Sequence, residues 1–176
     1  MGKKARTGAG RAGVRKIISG GQTGADRGGL DAAERLGIPR GGWCPKGRRA
    51  EDGVIPDRYP LRETRTSAYA ERTELNVRWA DATVVFTKGP PTGGSALTIE
   101  LARRYRKPVL HVDLERVHRE EAVRRVRAWV SRRGVSTLNV AGSREGHAAG
   151  MRREVEEILV EALGGKQAPG LTDSLQ

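Results

Sequence analysis

Ser19-Gly20-Gly21-Gln22-Thr23-Gly24-Ala25-Asp26, running on through Arg27–Leu36 (RGGLDAAERL), decides the fold. The short β-branched run Arg15–Ser19 (RKIIS) precedes it and reads as a strand. The periodic stretch from about Ala25 to Leu36 reads as a helix, which Gly37 ends. A strand, a glycine turn and a helix make one βα unit.

Outward from that unit the pattern repeats. Ala82–Thr87 (ATVVFT), Pro108–Asp113 (PVLHVD) and Ser136–Val140 (STLNV) are 5–6 residues long, nearly continuous in apolar character, and each precedes a helical pattern. Strands buried on both faces have this composition and belong to parallel sheets. Ala122, Val123, Val126, Trp129 and Val130 form one helical stripe; Met151, Val155, Ile158, Leu159, Ala162 and Leu163 form another. Leu97, Leu101 and Ala102 form a weaker third, and Tyr69–Trp79 makes a further helix. Trp79 and Trp129 read as helix-packing residues. Strands alternating with helices imply an α/β chain: three layers, doubly wound, on a mostly parallel sheet.

The 176 residues suit one domain. It is expected over 14–163, between a basic flexible tail at 1–13 and a flexible tail at 164–176. Lys+Arg number 33 against 21 Asp+Glu, a net charge of +12. Lys3, Lys4, Arg6 and Arg11 lie in the first tail, and Lys166 cancels Asp173 in the second, which leaves 28 − 20 = +8 for the body. Such a charge attracts anions without choosing among them. Cys44 is the only cysteine, which excludes an intramolecular disulfide. With no signal-peptide stretch and no 18-residue apolar run, the expectation is a cytoplasmic protein without membrane partners.

Three glycine-rich loops carry the chemistry. They are Ser19–Asp26, Thr87-Lys88-Gly89-Pro90-Pro91-Thr92-Gly93-Gly94-Ser95, and Asn139-Val140-Ala141-Gly142-Ser143-Arg144-Glu145-Gly146. If the strands are parallel, all three open on the carboxyl edge of the sheet, where folds of this class bind ligands. Glycines permit close backbone approach, and helix N-termini supply orphan N–H donors to a phosphate or oxyanion. Thr23, Ser95 and Ser143 either add hydroxyl donors or serve as N-caps. No loop has the Gly-Lys-Ser/Thr ending of a phosphate loop or the Gly-x-Gly-x-x-Gly dinucleotide spacing.

The stretch Ile38–Thr64 shows little regular structure, so Lys46 and Arg48, with Arg49, are candidates to close over an anion from it. Trp43 either stacks on a ring or plugs the loop, and Cys44 reads as a buried filler. His111, His118 and His147 are scattered, so no metal site is expected. No nucleophile–base pair is evident. Asp26 and Glu100 are the carboxylates best placed near the glycine loops, either to act there or only to orient backbone donors.

Gly20-Gly21-Gln22-Thr23-Gly24-Ala25-Asp26 with Leu30-Asp31, then Gly42-Trp43-x-Pro45-Lys46-Gly47-Arg48-x-Ala50-Glu51-Asp52-Gly53-x-Ile55-Pro56, resembles the molybdenum cofactor carrier family, the circularly permuted YpsA-like branch of the SLOG superfamily. Tyr69-x-x-Arg72-Thr73-x-x-Asn76-Val77, Ala80-Asp81-x-Thr83, Gly93-Gly94-Ser95-x-Leu97-Thr98, Lys107-Pro108 and Leu138-Asn139-Val140-Ala141-Gly142 continue it over about residues 15–163. The resemblance implies a Rossmann-like fold and a homo-oligomer, dimer or tetramer. It also implies a non-catalytic carrier of a phosphate-bearing molecule such as the molybdenum cofactor, with molybdoenzymes as partners. The cofactor-binding set it implies, together with the loops, is Gly20, Gly21, Gln22, Thr23, Gly24, Asp26, Lys46, Arg48, Gly93, Gly94, Ser95, Thr98, Asn139, Gly142 and Ser143.

Two other readings compete. Gly93-Gly94-x-x-x-x-x-Glu100 is similar to the Gly-Gly-x-Gly-Thr-x-x-Glu motif of the cytokinin-activating nucleoside-monophosphate phosphoribohydrolases, with Ala96 and Leu97 in place of Gly-Thr. That points to N-glycosidic hydrolysis through Glu100, or to a nucleotide sensor. Single-stranded DNA binding, as in the DNA-processing member of the superfamily, would use the basic charge but lacks an aromatic series along the chain.

Overall fold

The computed structural model describes residues 13–165. The two expected tails fall outside that range except for Gly13, Gly164 and Gly165. In chain order β1 (Lys16–Ile18) leads to α1 (Ala25–Leu36), and β2 (Arg40–Gly41) follows. The segment after it holds β3 (Trp43–Cys44), β4 (Arg49–Ala50), β5 (Gly53–Val54) and β6 (Arg62–Glu63). The second half alternates: α2 (Tyr69–Trp79), β7 (Ala82–Thr87), α3 (Gly93–Arg104), β8 (Val109–Asp113), α4 (Arg119–Arg133), β9 (Thr137–Gly142) and α5 (Met151–Leu163).

Five strands form one parallel sheet in the order β2-β1-β9-β7-β8, so the last strand of the chain lies at its centre. Every residue of β7 is buried, as a strand covered on both faces requires. Helices α1 and α4 pack with α5, and α2 packs with α3. The main core joins Ile17, Val84, Phe86 and Val140 to the α4 and α5 stripes, including Trp129, Met151, Ile158 and Leu159. A smaller cluster of Val77, Leu101 and Ala102 lies between α2 and α3. This is the expected three-layer, Rossmann-like arrangement.

Two expectations change. The sheet has a strand at Arg40–Gly41 inside the stretch expected to be irregular; two residues are too few for a period-2 signal. Trp79 is 66% exposed rather than packed, because it ends α2 beyond the Val77 cluster. Among the described residues no helix is long and apolar enough to cross a membrane.

Candidate functional site

The carboxyl ends of β1, β9 and β7 lie side by side, and the loops that leave them bound a cleft of about 160 Å³. Helix α1 follows β1 and α3 follows β7, so two helix N-termini open toward the mouth where the strand order reverses. Of the expected residues, Gly20, Gln22, Asp26, Gly93, Gly94, Ser95, Thr98, Asn139, Gly142 and Ser143 line this cleft. Gly21, Thr23, Gly24, Lys46 and Arg48 do not.

The loop at the start of α3 is the open one. Gly93 and Gly94 are its first residues, so their amides have no partner within the helix. Thr92 precedes them and makes no side-chain cap. A Cβ on either glycine would meet nothing within 4 Å among the described residues, so both positions face open space in the cleft. The Thr98 hydroxyl donates to the Gly94 carbonyl at 2.7 Å, and Ser95 is buried beside it. Arg72, Lys88, Arg144 and His147 also line the cleft, and Asp26 is the sole carboxylate there among the described residues. Arg72 Nη1 lies 2.7 Å from Asp26 Oδ2, and Lys88 Nζ lies 3.1 Å from Glu154. Arg144 rests 5.6 Å over the Tyr69 ring and forms no ion pair among the described residues. The cleft therefore carries an excess of positive charge.

The loop at the start of α1 is closed by its own side chains. Asp26 accepts from the Gln22 amide at 3.2 Å and occupies the anion seat of that helix terminus. The Thr23 amide is taken by Gln22 Oε1 at 3.1 Å. The Thr23 hydroxyl donates to Glu51 and accepts from the Glu145 amide. A Cβ on Gly21 would lie 2.4 Å from Leu61 Cδ1, and one on Gly24 would lie 2.3 Å from the Ser143 carbonyl. These glycines let neighbouring segments approach rather than a ligand. Two buried donors on the cleft-lining side chains have no partner among the described residues: Gln22 Nε2 and Arg72 Nε. Orphaned buried donors are rare and suit an acceptor-rich ligand.

In the third loop the Ser143 amide donates to the Phe86 carbonyl at 2.9 Å, tying β9 to β7. Asn139, nearly fully buried, donates to Thr83 Oγ1 at 3.2 Å.

The segment from Gly42 to Thr64 clamps the loops instead of closing over the cleft. The Arg48 guanidinium donates to the carbonyls of Ile55, Pro56, Tyr59 and Leu61, so it braces its own segment; Lys46 is exposed outside the cleft. The Glu51 amide donates to Gln22 Oε1 at 2.9 Å, and its carboxylate takes the Thr23 hydroxyl and the Gly146 amide. Arg27, buried at 6% side-chain exposure, makes two bonds of 2.6 and 2.8 Å to Asp52. Hydrogen bonding to Arg27 is what holds the Asp52 carboxyl below its ordinary range. Cys44 is buried with Leu30, Ile55 and Tyr59, and desolvation pushes its thiol up, as a filler.

Asp52→Asn is expected to cost about 1–3 kcal/mol at pH 7. That is less than a fully buried pair would lose, because Asp52 is half exposed. Since the folded carboxyl titrates below the unfolded one, this stability is present above about pH 4 and fades as pH falls through the lower folded value. Urea melts of both proteins at pH 7 and pH 3 check it. A gap that stays constant with pH would rule the ion pair out.

Glu100 lies away from the cleft, on the outward side of α3. It is exposed, pairs with Arg104 at 3.0 Å and borders a groove with Ala96, Ile99 and His111. The binding set implied by the sequence omits the cleft-lining Arg72, Thr73, Asn76, Lys88, Arg144 and His147, although Lys88 and Arg144 stand in two of the glycine loops. The available signal was on α2, where Thr73 and Asn76 interrupt the apolar positions and are buried. Asn76 accepts from the Trp43 amide and donates to its carbonyl, both at 2.9 Å. Among the described residues no group of three His, Cys, Asp or Glu is placed to hold a metal ion.

The model of the circularly permutated YpsA SLOG family matches residues 17–163. A solved structure, the putative molybdenum carrier protein from Syntrophus aciditrophicus SB, is 45% identical and superposes with a TM-score of 0.82; the match covers 86% of this chain and 96% of that one. No curated protein matches.

Proposed function

This chain belongs to the circularly permutated YpsA SLOG family, and from that premise we propose that the three-loop cleft binds a phosphate-bearing small molecule, the molybdenum cofactor, and carries it unchanged. The observation that carries this reading is the α3 terminus at Gly93-Gly94, without a side-chain cap and with open space at both glycines, in a cleft where Arg72, Lys88 and Arg144 outnumber the one carboxylate among the described lining residues. The unpartnered Gln22 and Arg72 donors fit the same acceptor-rich ligand. A cleft of about 160 Å³ takes a phosphate and the adjoining part of a ligand, below the roughly 300–1,000 Å³ of sites that engulf a drug-sized molecule. The name of the 45%-identical structure supports a molybdenum-related cargo. A carrier needs a recipient, an apo-molybdoenzyme.

Calorimetry of the cofactor against the chain is the test. Arg144→Gln is expected to weaken binding about tenfold, the loss of one charge-assisted bond of roughly 1.5 kcal/mol. Glu100→Ala should leave it unchanged, because that carboxylate lies outside the cleft. Incubation with nucleoside monophosphates should release no free base. Base release that vanishes in Glu100→Ala would replace this reading with the hydrolase.

A further inference from the structure

A second groove, of about 360 Å³, lies between the end of α2 and the segment that follows β2. It shares no lining residue with the three-loop cleft. Trp43, Trp79, Lys16, Arg40 and Arg62 line it, and no carboxylate among the described residues does. The two indoles stand 6.5 Å apart, tilted by 46°. Trp79 is 66% exposed, an unusual place for the largest side chain of the set. Trp43 is half-buried and backed by the Asn76 amide, which grips its backbone on both sides. Arg62 rests 5.8 Å over the Trp43 ring. Neither Arg62 nor Lys16 forms an ion pair among the described residues, whereas Arg40 is held by Glu34 at 2.8 Å.

We infer that this groove is a stacking site for a nucleobase and its phosphate, distinct from the cleft at the glycine loops. An open indole face beside unpaired cations is the combination that binds a flat π ring carrying a negative charge. The Trp79 face is the platform, and Trp43, fixed by Asn76 and covered by Arg62, is the wall that holds its tilt. Lys16 and Arg62 supply the charge for the phosphate. The volume lies in the range of about 300–1,000 Å³ typical of sites for ligands of nucleotide size. A ligand lacking either the ring or the charge would leave half of the groove unmatched. Free nucleotides and single-stranded nucleic acid share this chemistry.

The inference stands whether or not the cleft binds a cofactor, and Gly94→Val separates the two. In that variant, at low salt, tryptophan fluorescence is followed during titration with adenosine monophosphate and with a ten-residue oligothymidylate. Trp129 is buried in the core, so quenching reports the groove. Saturable quenching is expected. Trp79→Ala should weaken it at least tenfold with the melting temperature unchanged, and Trp79→Phe should restore most of it. Lys16→Gln and Arg62→Gln should each weaken it severalfold and flatten its salt dependence. Equal affinities for the two probes identify a free nucleotide as the source, and much tighter binding of the oligonucleotide identifies a strand. No saturable quenching by either probe, or binding that survives Trp79→Ala, would overturn the site. So would sedimentation showing that Trp79→Ala dissolves an oligomer of the wild-type chain, since a second copy would then cover the groove.

Discussion

Gly94→Val is expected to abolish ligand binding at the three-loop cleft while the protein melts at its normal temperature. Gly94 sits in the first turn of α3, its amide is free of helical partners, and a Cβ there meets no protein atom within 4 Å. The fold tolerates a branched side chain at that point; the space over the amides does not. The valine methyls would occupy the volume in which a phosphate must sit to reach the Gly93 and Gly94 N–H groups. Losing two charge-assisted bonds of about 1.5 kcal/mol each costs roughly 3 kcal/mol, a hundredfold or more in affinity. Gly93 is a poorer probe, because its φ of +50° would strain any other residue whatever the ligand. Calorimetry with the cofactor or a nucleoside monophosphate, paired with a thermal melt, checks both halves. Affinity within threefold of wild type would remove the α3 terminus from the binding site.

Gly142→Ala is expected to do the opposite, damaging the fold before binding can be measured. A Cβ at this position would lie 1.9 Å from the Phe86 carbonyl oxygen and 2.8 Å from Ala25 Cβ. Backbone, not a movable side chain, is in the way, at the point where the Ser143 amide ties β9 to β7 through that same carbonyl. Separating the two central strands and pushing against α1 together should cost about 3 kcal/mol or more. For a domain of this size that lowers the melting temperature by roughly 6–12 °C. A differential scan measures it. A shift below about 2 °C would show that β9 and β7 can part without loss, contrary to the packing seen here.

The contrast between these two glycines shows where sequence reading stops. In the sequence both read as parts of strand-to-helix loops, places for a phosphate to approach. A Cβ on Gly94 meets nothing within 4 Å among the described residues, whereas one on Gly142 meets Phe86, which is 56 residues away in the chain and adjacent only because β7 and β9 pair. Gly21 and Gly24 resemble Gly142, since their missing side chains make room for Leu61 and for the Ser143 carbonyl. Thr23 is likewise consumed by Glu51, a partner 28 residues along that no local pattern could pair with it. Arg48 looked like an anion ligand because a free guanidinium is one. Its four carbonyl partners belong to a loop whose path the sequence does not encode in any period.

The sequence by itself determined the layers and the location of the cleft. Apolar runs such as Ala82–Thr87 and stripes such as Ala122–Val130 follow from local periodicity, because burial on two faces or on one repeats along a strand or helix. Once the strands are parallel, their glycine loops must share one edge. The tertiary structure alone decided which amides stay free, which cations face the cleft and which aromatics meet. Arg72 comes from α2 to pair with Asp26, and Trp43 and Trp79, 36 positions apart in the chain, stand 6.5 Å apart. Those choices depend on distances between residues far apart in the chain, which spacing along the sequence does not carry.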